Sequence, residues 1–329
     1  ARRAPRVNLV VTAVLLATLG LSGPGDPQTV FRFQDSRIVE SSSLVDLGHG
    51  LTATANDSGD DGIVYVVDRS GRTVGTTRYG ESDDAEAMAP AREPGYVWVG
   101  DLGDNLAQRR DVALRRVPVG RGDRTVVAPT YRLVYPDGAH DAETLLVSPR
   151  TRRMFIVTKA SLNAAVYVAP RRLRADRPNR LTRVTALALT ATDGAVLPDG
   201  RHALVRGYFS ATLYTFPGFR RLGSFRLPAQ RQGESLSVGP AGRIRIGSEG
   251  DHSRVLQITL PPDLARALAP SAPPSRADDT STLSRQDGPV ADDGQGQSWA
   301  VLGASALVLA GLAGMAWIVR RRAARRGKV

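Results

Sequence analysis

Short alternating runs of hydrophobic and polar residues dominate this chain between residues 29 and 262. One plan recurs in it: a polar opener, a short apolar segment, a turn, and a second apolar segment that ends in a polar residue. The openers are spaced about 40 to 60 residues apart. They are Glu40, Glu86, Glu143, Thr192 and Glu234. No long stretch of this region has the 3.6-residue period of an amphipathic helix. Repeated units of short strands and turns with this length are typical of β-propeller blades.

A third and, in most units, a fourth strand-like segment follow the first two. The third segments are Ile63–Asp68, Ala113–Val119, Ala165–Ala169, Ala211–Phe216 and Arg254–Leu260. The pattern predicts an all-β fold, a β-propeller of five four-stranded blades. A sixth blade could occupy the longer interval between Glu86 and Glu143.

The last unit lacks an outer strand, whereas a spare alternating segment, Val30–Asp35, precedes the first opener. Propellers commonly close when one end of the chain completes the blade begun by the other, because closure removes an exposed strand edge. We therefore expect Val30–Asp35 to pair with the last unit.

Residues 1–28 have the composition of a secretory signal peptide. Arg2, Arg3 and Arg6 precede an uncharged apolar run, Val7–Leu21, and small residues follow it. A retained N-terminal anchor is the alternative, although the run is shorter than the roughly 20 residues that a membrane span needs.

The C-terminal end predicts a membrane anchor. The segment 299–319 carries no charge and is long enough to cross a ~30 Å hydrocarbon core as a helix. The basic tail 320–329 follows it, and positive charge stays cytoplasmic. Residues 263–298 are rich in Ala, Pro, Ser, Asp and Gly and predict a disordered stalk, with a helical turn at Asp263–Leu268 at most. The expected protein is a single-pass cell-membrane protein with residues 29–262 as an extracellular propeller.

This topology changes the meaning of the net charge of +12, because much of it lies in the two ends. The central region is only mildly basic, and aromatic residues are 5% of the chain. Nucleic-acid binding, which needs a basic face with stacking aromatics, is not expected. The absence of cysteine excludes disulfides and thiolate metal sites.

Four acidic openers are candidate binding residues, because the first strands of propeller blades line the central channel. They are Glu40, Glu86, Glu143 and Glu234. Clustered carboxylates repel one another unless a cation or a basic side chain joins them, or unless some are protonated. Calcium suits such an all-oxygen set. The alternatives are that each Glu accepts backbone N–H groups and fixes packing, or that some act in catalysis.

Two loops rich in Asp, Asn and Gly, residues 56–62 and 100–105, follow second strands and could wrap a cation, or could simply form turns. The candidate metal ligands in and near them are Asp57, Asp84, Asp101, Asp104 and Asp141. The second strands of the later units end in Lys159, Arg206 and Glu249. Together with Asp57 and Asp101, these strand-end residues also predict a mixed-charge recognition surface. Such a surface would suit a small anionic or polyol ligand, or an envelope protein.

Standard catalytic signatures are missing from the sequence. It contains no G-x-S-x-G elbow, no H-E-x-x-H and no phosphate-binding loop. His140, beside Asp141, could act as an acid or base or could be a solvated turn residue.

The motifs NDSGD with VYVVD, DAEAMA and YVWVGDLGDN resemble those of secreted or membrane-anchored propeller proteins of high-GC Gram-positive bacteria. The Asp-x-Glu blade openings are more distantly similar to phytase-like and esterase-like propellers. The resemblance covers roughly residues 36–260. It implies channel-facing acids at Asp84, Glu86, Asp141 and Glu143, and calcium contacts in the loops of Asp57 and Asp101. Thr192, Lys159 and Arg206 depart from the pattern.

The sequence thus predicts a membrane-tethered binding or scaffold module at the cell envelope, with no required cofactor, although calcium would fit its acidic residues. The alternative is a calcium-dependent phytase-like or esterase-like hydrolase.

Overall fold

The structure, a computed structural model, describes residues 26–57, 62–161 and 163–268. The predicted membrane segment and basic tail, most of the predicted signal segment, and the predicted stalk beyond residue 268 lie outside these ranges. Within them, no helix is long and apolar enough to cross a membrane.

The described chain is almost entirely β-strand. It begins with β1 (Gln28–Arg32). The next group is β2 (Ser41–Gly48), β3 (Leu51–Asn56), β4 (Ile63–Val67) and β5 (Thr73–Arg78). The group after it is β6 (Ala85–Pro90), β7 (Tyr96–Asp101), β8 (Val112–Pro118), β9 (Arg124–Thr125) and β10 (Thr130–Val134).

Three further groups complete the fold. The first is β11 (Ala142–Val147), β12 (Met154–Thr158), β13 (Ala164–Val168), β14 (Asn179–Arg180) and β15 (Thr182–Leu187). The second is β16 (Asp193–Val196), β17 (His202–Arg206), β18 (Ser210–Thr215) and β19 (Arg221–Arg226). The last is β20 (Leu236–Val238), β21 (Ile244–Ile246), β22 (Arg254–Ile258) and the helix α1 (Pro262–Ala267), which matches the helical turn expected there.

These strands form five sheets whose first strands, β2, β6, β11, β16 and β20, contact one another in sequence, and β20 contacts β2. The result is a closed ring, and the prediction of a five-bladed propeller is confirmed. The alternative prediction of a sixth blade is wrong, because the interval between Glu86 and Glu143 holds the second blade and the short strand β9.

Two blades have a fifth strand, which corrects the prediction of four strands throughout. β9 pairs in parallel with β5 of the first blade, and β14 pairs in parallel with β10 of the second. Each short strand belongs to the chain segment of the following blade and covers the outer edge of the preceding one. A Cβ at Gly75 in β5 would overlap the backbone carbonyl of Gly120, so this close crossing requires glycine.

The N-terminal strand closes the ring. β1 runs antiparallel to β22, so the expected pairing is confirmed, with the strand beginning before the expected Val30–Asp35 segment. Phe31 and Phe33 are buried with their ring centroids 5.5 Å apart, and they pack in one cluster with Leu44 and Tyr65 of the first blade and Val255 of the last.

Each apolar cluster lies between two neighbouring blades, which explains the short continuous apolar runs of the inner strands. In β12, Ile156 packs into the cluster shared with the second blade, whereas Phe155 and Val157 pack into the cluster shared with the fourth. Successive side chains of a strand point to opposite faces of its sheet. Since both faces of a blade are covered by other blades, the inner strands are apolar on both sides.

Candidate functional site

Two buried glutamates project from irregular positions in the innermost strands. The pairing register shifts between Ala85 and Ala87 and between Ala142 and Thr144, so Glu86 and Glu143 are the extra residues of two β-bulges. Both are almost fully buried. Bulges commonly redirect a side chain near functional sites, and here they mark the same place in the second and third blades.

Ser42 has this bulge position in the first blade, where the register shifts between Ser41 and Ser43. Its hydroxyl donates to the Ala85 carbonyl at 2.9 Å. Glu40 lies just before β2; its N–H donates to Asn56 Oδ1 at 3.1 Å, and its carboxyl shares a hydrogen bond with Asp57. Spacing alone therefore placed the first opener two residues away from its structural equivalent.

Asp57, Asp84 and Glu86 form the acidic cluster of the channel. Each offers one carboxylate oxygen, and these oxygens all lie within 4.8 Å of one another. Asp57 comes from the end of the second strand of the first blade, while the other two open the second blade. Among the residues that the structure describes, the buried Asp57 Oδ1 has no hydrogen-bond partner. This geometry can hold a cation between two blades.

Burial raises the pKa of Glu86 well above its usual range, and the charges of Glu143, Asp84 and Asp57 raise it further. Burial likewise raises the pKa of Asp57, with Glu40 and Asp84 adding to it. Negative charge at this cluster is therefore costly unless protons or a cation compensate it.

Lys159 is the basic group of this region. Its ammonium group contacts the Glu143 carboxylate and lies 5.7 Å from the centroid of the Tyr208 ring. Burial works to lower the pKa of Lys159, but Glu143 and Glu234 outweigh it and hold that pKa well above its usual value. The second oxygen of Glu143, Oε2, is buried without a hydrogen-bond partner.

Glu234 and Glu249 of the fifth blade are joined carboxyl to carboxyl. Burial raises the pKa of Glu249 to about 11, and the hydrogen bond with Glu234 contributes to the rise. Glu249 therefore carries a proton at neutral pH. Gln232 Nε2 donates to Glu234 Oε1 at 3.3 Å.

Arg206 is fully buried and joins two blades. Its guanidinium donates to the carbonyls of Gly207 at 3.1 Å, Ser235 at 3.0 Å and Gly247 at 3.2 Å. Burial lowers the pKa of Arg206 to about 10. The structure thus places this residue in packing contacts between blades four and five.

Asp101 and Asp104 have partners other than the acidic cluster. Asp101 accepts from Arg109 and Arg115 at 2.9 Å each. Burial works to raise the pKa of Asp101, but these two guanidinium groups lower it overall. Asp104 accepts the N–H groups of Gln108 at 2.9 Å and Arg109 at 2.8 Å, which closes a turn.

Asp141 and His140 also lie in hydrogen-bonded positions. Asp141 Oδ1 accepts the N–H of Asp104 at 2.8 Å, which links the second and third blades. His140 contacts Asp137 at 3.1 Å and the Tyr167 hydroxyl at 2.9 Å, in an aromatic group with Tyr135. These contacts hold the His140 ring in place by hydrogen bonds and aromatic packing.

Three residues near the channel were not predicted from the sequence. Ser42 and Tyr208 carry no sequence signal, because neither the bulge nor the packing against Lys159 shows in a residue pattern. Asp193 follows the opener Thr192 directly and is fully buried; it accepts the N–H of Leu236 at 2.6 Å and of Gly194 at 2.7 Å. The sequence shows that Asp193 lies next to an opener. It does not show the hydrogen bond from the N–H of Leu236 in the fifth blade.

No protein-family model matches this chain. No curated protein shows significant sequence similarity to it. The function is therefore argued from the geometry of the channel.

Proposed function

We propose that this protein is a β-propeller binding module of the cell envelope whose channel holds a divalent cation, calcium being the best suited. The observation that carries the proposal is the convergence of Asp57, Asp84 and Glu86, whose oxygens lie within 4.8 Å of one another. Calcium takes six to eight oxygen ligands, so three carboxylates would leave positions for water or a ligand.

The surrounding charges support a cation. Lys159, the basic side chain in contact with the channel acids, is engaged by Glu143. Within the described ranges, the buried oxygens Asp57 Oδ1 and Glu143 Oε2 have no hydrogen-bond partner, and such acceptors gain from a positive ligand. Arg109 and Arg115 compensate the charge of Asp101 and not that of the acidic cluster.

The envelope location rests on the signal-like residues 1–28 and the apolar segment 299–319. In this proposal the segment anchors the protein, and the propeller faces outward. A cation with open coordination positions would recruit a small anionic or polyol ligand, or acidic groups of an envelope protein, through their oxygens.

The test is calcium binding to the purified full-length protein, measured by calorimetry and by thermal unfolding. A ligand that binds only the folded state stabilises it by about 2.7 kcal/mol at a hundredfold excess over Kd. Asp84→Asn and Glu86→Gln keep shape while removing charge, and each should abolish or sharply weaken the response. Glu81→Gln, an exposed acid nearby, is the matched control and should leave it intact. Absence of calcium binding to the wild type, or binding that survives both channel variants, would refute the proposal.

A further inference from the structure

A cavity lies at the seam where β1 closes the ring, in the fifth blade. It measures about 310 Å³, near the lower limit for small-ligand sites. Its walls come from the connection between β19 and β20, from the turn between β21 and β22, and from β1. The side chains that matter here are Arg32, Gln230, Arg231, Glu249, Ser253 and Arg254.

Three arginines line this cavity, Arg32, Arg231 and Arg254. Arg32 and Arg254 are directly opposite each other in the antiparallel pairing of β1 and β22. Like charges at such positions repel. In the part of the chain that the structure describes, neither these two nor Arg231 forms an ion pair with a carboxylate. The seam thus concentrates positive charge that an anion would neutralise.

Two buried polar atoms in the cavity wall also have no hydrogen-bond partner, Gln230 Nε2 and Ser253 Oγ. Arg206, which can only donate, bonds Gln230 Oε1 at 3.3 Å, and this contact leaves the amide nitrogen as the remaining donor. Buried donors without acceptors destabilise the folded state. An oxyanion would supply the acceptors that both atoms lack.

We propose that this seam cavity binds the phosphate or carboxylate group of a small ligand through Arg32, Arg231 and Arg254, with Gln230 and Ser253 completing its hydrogen bonds. Planar guanidinium groups match such oxyanions in bidentate geometry. Because Arg32 is on β1 and Arg254 on β22, the bound anion links the N-terminal strand to its partner and stabilises ring closure.

The acidic residues of the cavity do not oppose this assignment. Burial and the bond to Glu234 raise the pKa of Glu249 to about 11, so its carboxyl adds no negative charge to the cavity. Asp251 is 61% exposed and lies 3.5 Å from His252, at the outer margin. The lining of the cavity includes none of the acidic cluster residues Asp57, Asp84 and Glu86.

The probe is inorganic phosphate, titrated into the full-length protein at constant ionic strength set with sodium chloride. We expect saturable binding with a Kd on the order of 1 mM or tighter and a rise in melting temperature. Arg32→Gln and Arg254→Gln should each weaken binding at least about tenfold, a loss of roughly 1.4 kcal/mol. The control Arg171→Gln removes an exposed arginine elsewhere and should bind as the wild type does.

A second readout keeps the test decisive if one variant folds poorly. Without phosphate, Arg254→Gln should melt at or above the wild-type temperature because a repulsion is removed, and it should lose the phosphate-dependent rise. Arg254→Lys keeps the charge but not the planar fork, so it should retain only part of the affinity. Failure of phosphate to bind, equal binding by all variants, or binding only to vesicles containing phosphatidylglycerol would overturn the proposal.

Discussion

The ammonium group of Lys159 contacts the carboxylate of Glu143 inside the propeller, and both side chains are largely buried, at 16% and 3% exposure. Glu143 belongs to the bulge that opens the third blade, and Lys159 follows the strand paired with it. The pair thus joins two successive strands at the channel, beside the acidic cluster Asp57, Asp84 and Glu86.

Breaking this pair from one side should be costly. Lys159→Met leaves Glu143 buried without its partner, and we expect the free energy of unfolding to fall by about 3–5 kcal/mol in urea at pH 7. The double variant Lys159→Met, Glu143→Gln removes both charges and should recover much of the loss. Losses that simply add in the double variant would contradict a coupled pair.

The stability of the protein should fall as pH rises from 5 to 8 without divalent cations. Glu249 has an ordinary pKa of 4.5 in the unfolded chain and about 11 in the fold. The folded state therefore binds the extra proton across this window, and its contribution is full below pH 4.5 and is lost as pH rises toward 11. One such group changes the free energy of unfolding by up to about 1.4 kcal/mol per pH unit.

Glu249→Gln is the matched variant for this pH dependence, because an amide mimics the protonated carboxyl. It should lower the slope of the profile measured by urea unfolding at pH 5, 6.5 and 8, and the remaining slope comes from Glu86 and Asp57, whose pKa values are raised as well. Carboxyls with lowered pKa, such as Asp101, titrate below their ordinary value of 3.8 and do not act in this window. A profile as steep in the variant as in the wild type would show that Glu249 is not the titrating group.

Gly103→Ala should weaken calcium binding without removing any carboxylate. A Cβ at position 103 would overlap the carboxylate of Asp84 and displace it from the acidic cluster. We expect a loss of affinity of about tenfold or more, roughly 1.4 kcal/mol, in calorimetry. The control is Gly242→Ala, whose added Cβ would meet nothing within 4 Å, although its positive φ gives a small stability cost. Unchanged affinity in the Gly103 variant would remove Asp84 from the site.

The N-terminal strand should contribute to global stability. Phe31→Ala removes a ring that is 5% exposed and packs between the first and last blades, so a loss of about 3–5 kcal/mol is expected in urea unfolding. Thr29→Ala, at an exposed position of the same strand, is the control and should change little. Equal stability of both variants would mean that β1 is not part of the cooperative unit.

The membrane topology is tested with spheroplasts. External protease should release a fragment that ends within residues 263–298, because the proposed stalk cannot bury enough apolar surface to fold. Protection of the propeller together with digestion of the tail 320–329 would reverse the orientation.

The strand pattern carried enough information for the architecture. Successive side chains of a strand point to opposite faces of the sheet. A run of apolar residues such as Phe155, Ile156 and Val157 therefore indicates a strand that is covered on both faces, as β12 is. The spare strand before Glu40 and the missing strand after Glu234 together predicted the closure that β1 and β22 make. The two short extra strands were not predictable, because two residues give no periodic signal.

By itself, the sequence predicted a ring of repeated strand units, with five favoured and a sixth left open, and its closure by the N-terminal strand, since burial on both faces imposes a repeating apolar pattern. Only the tertiary structure decided which acids meet. The bulges put Ser42, and not Glu40, in line with Glu86 and Glu143. Arg109 and Arg115 form the ion pairs of Asp101. Register and the partners of a side chain depend on contacts between segments distant in sequence, and linear spacing does not record them.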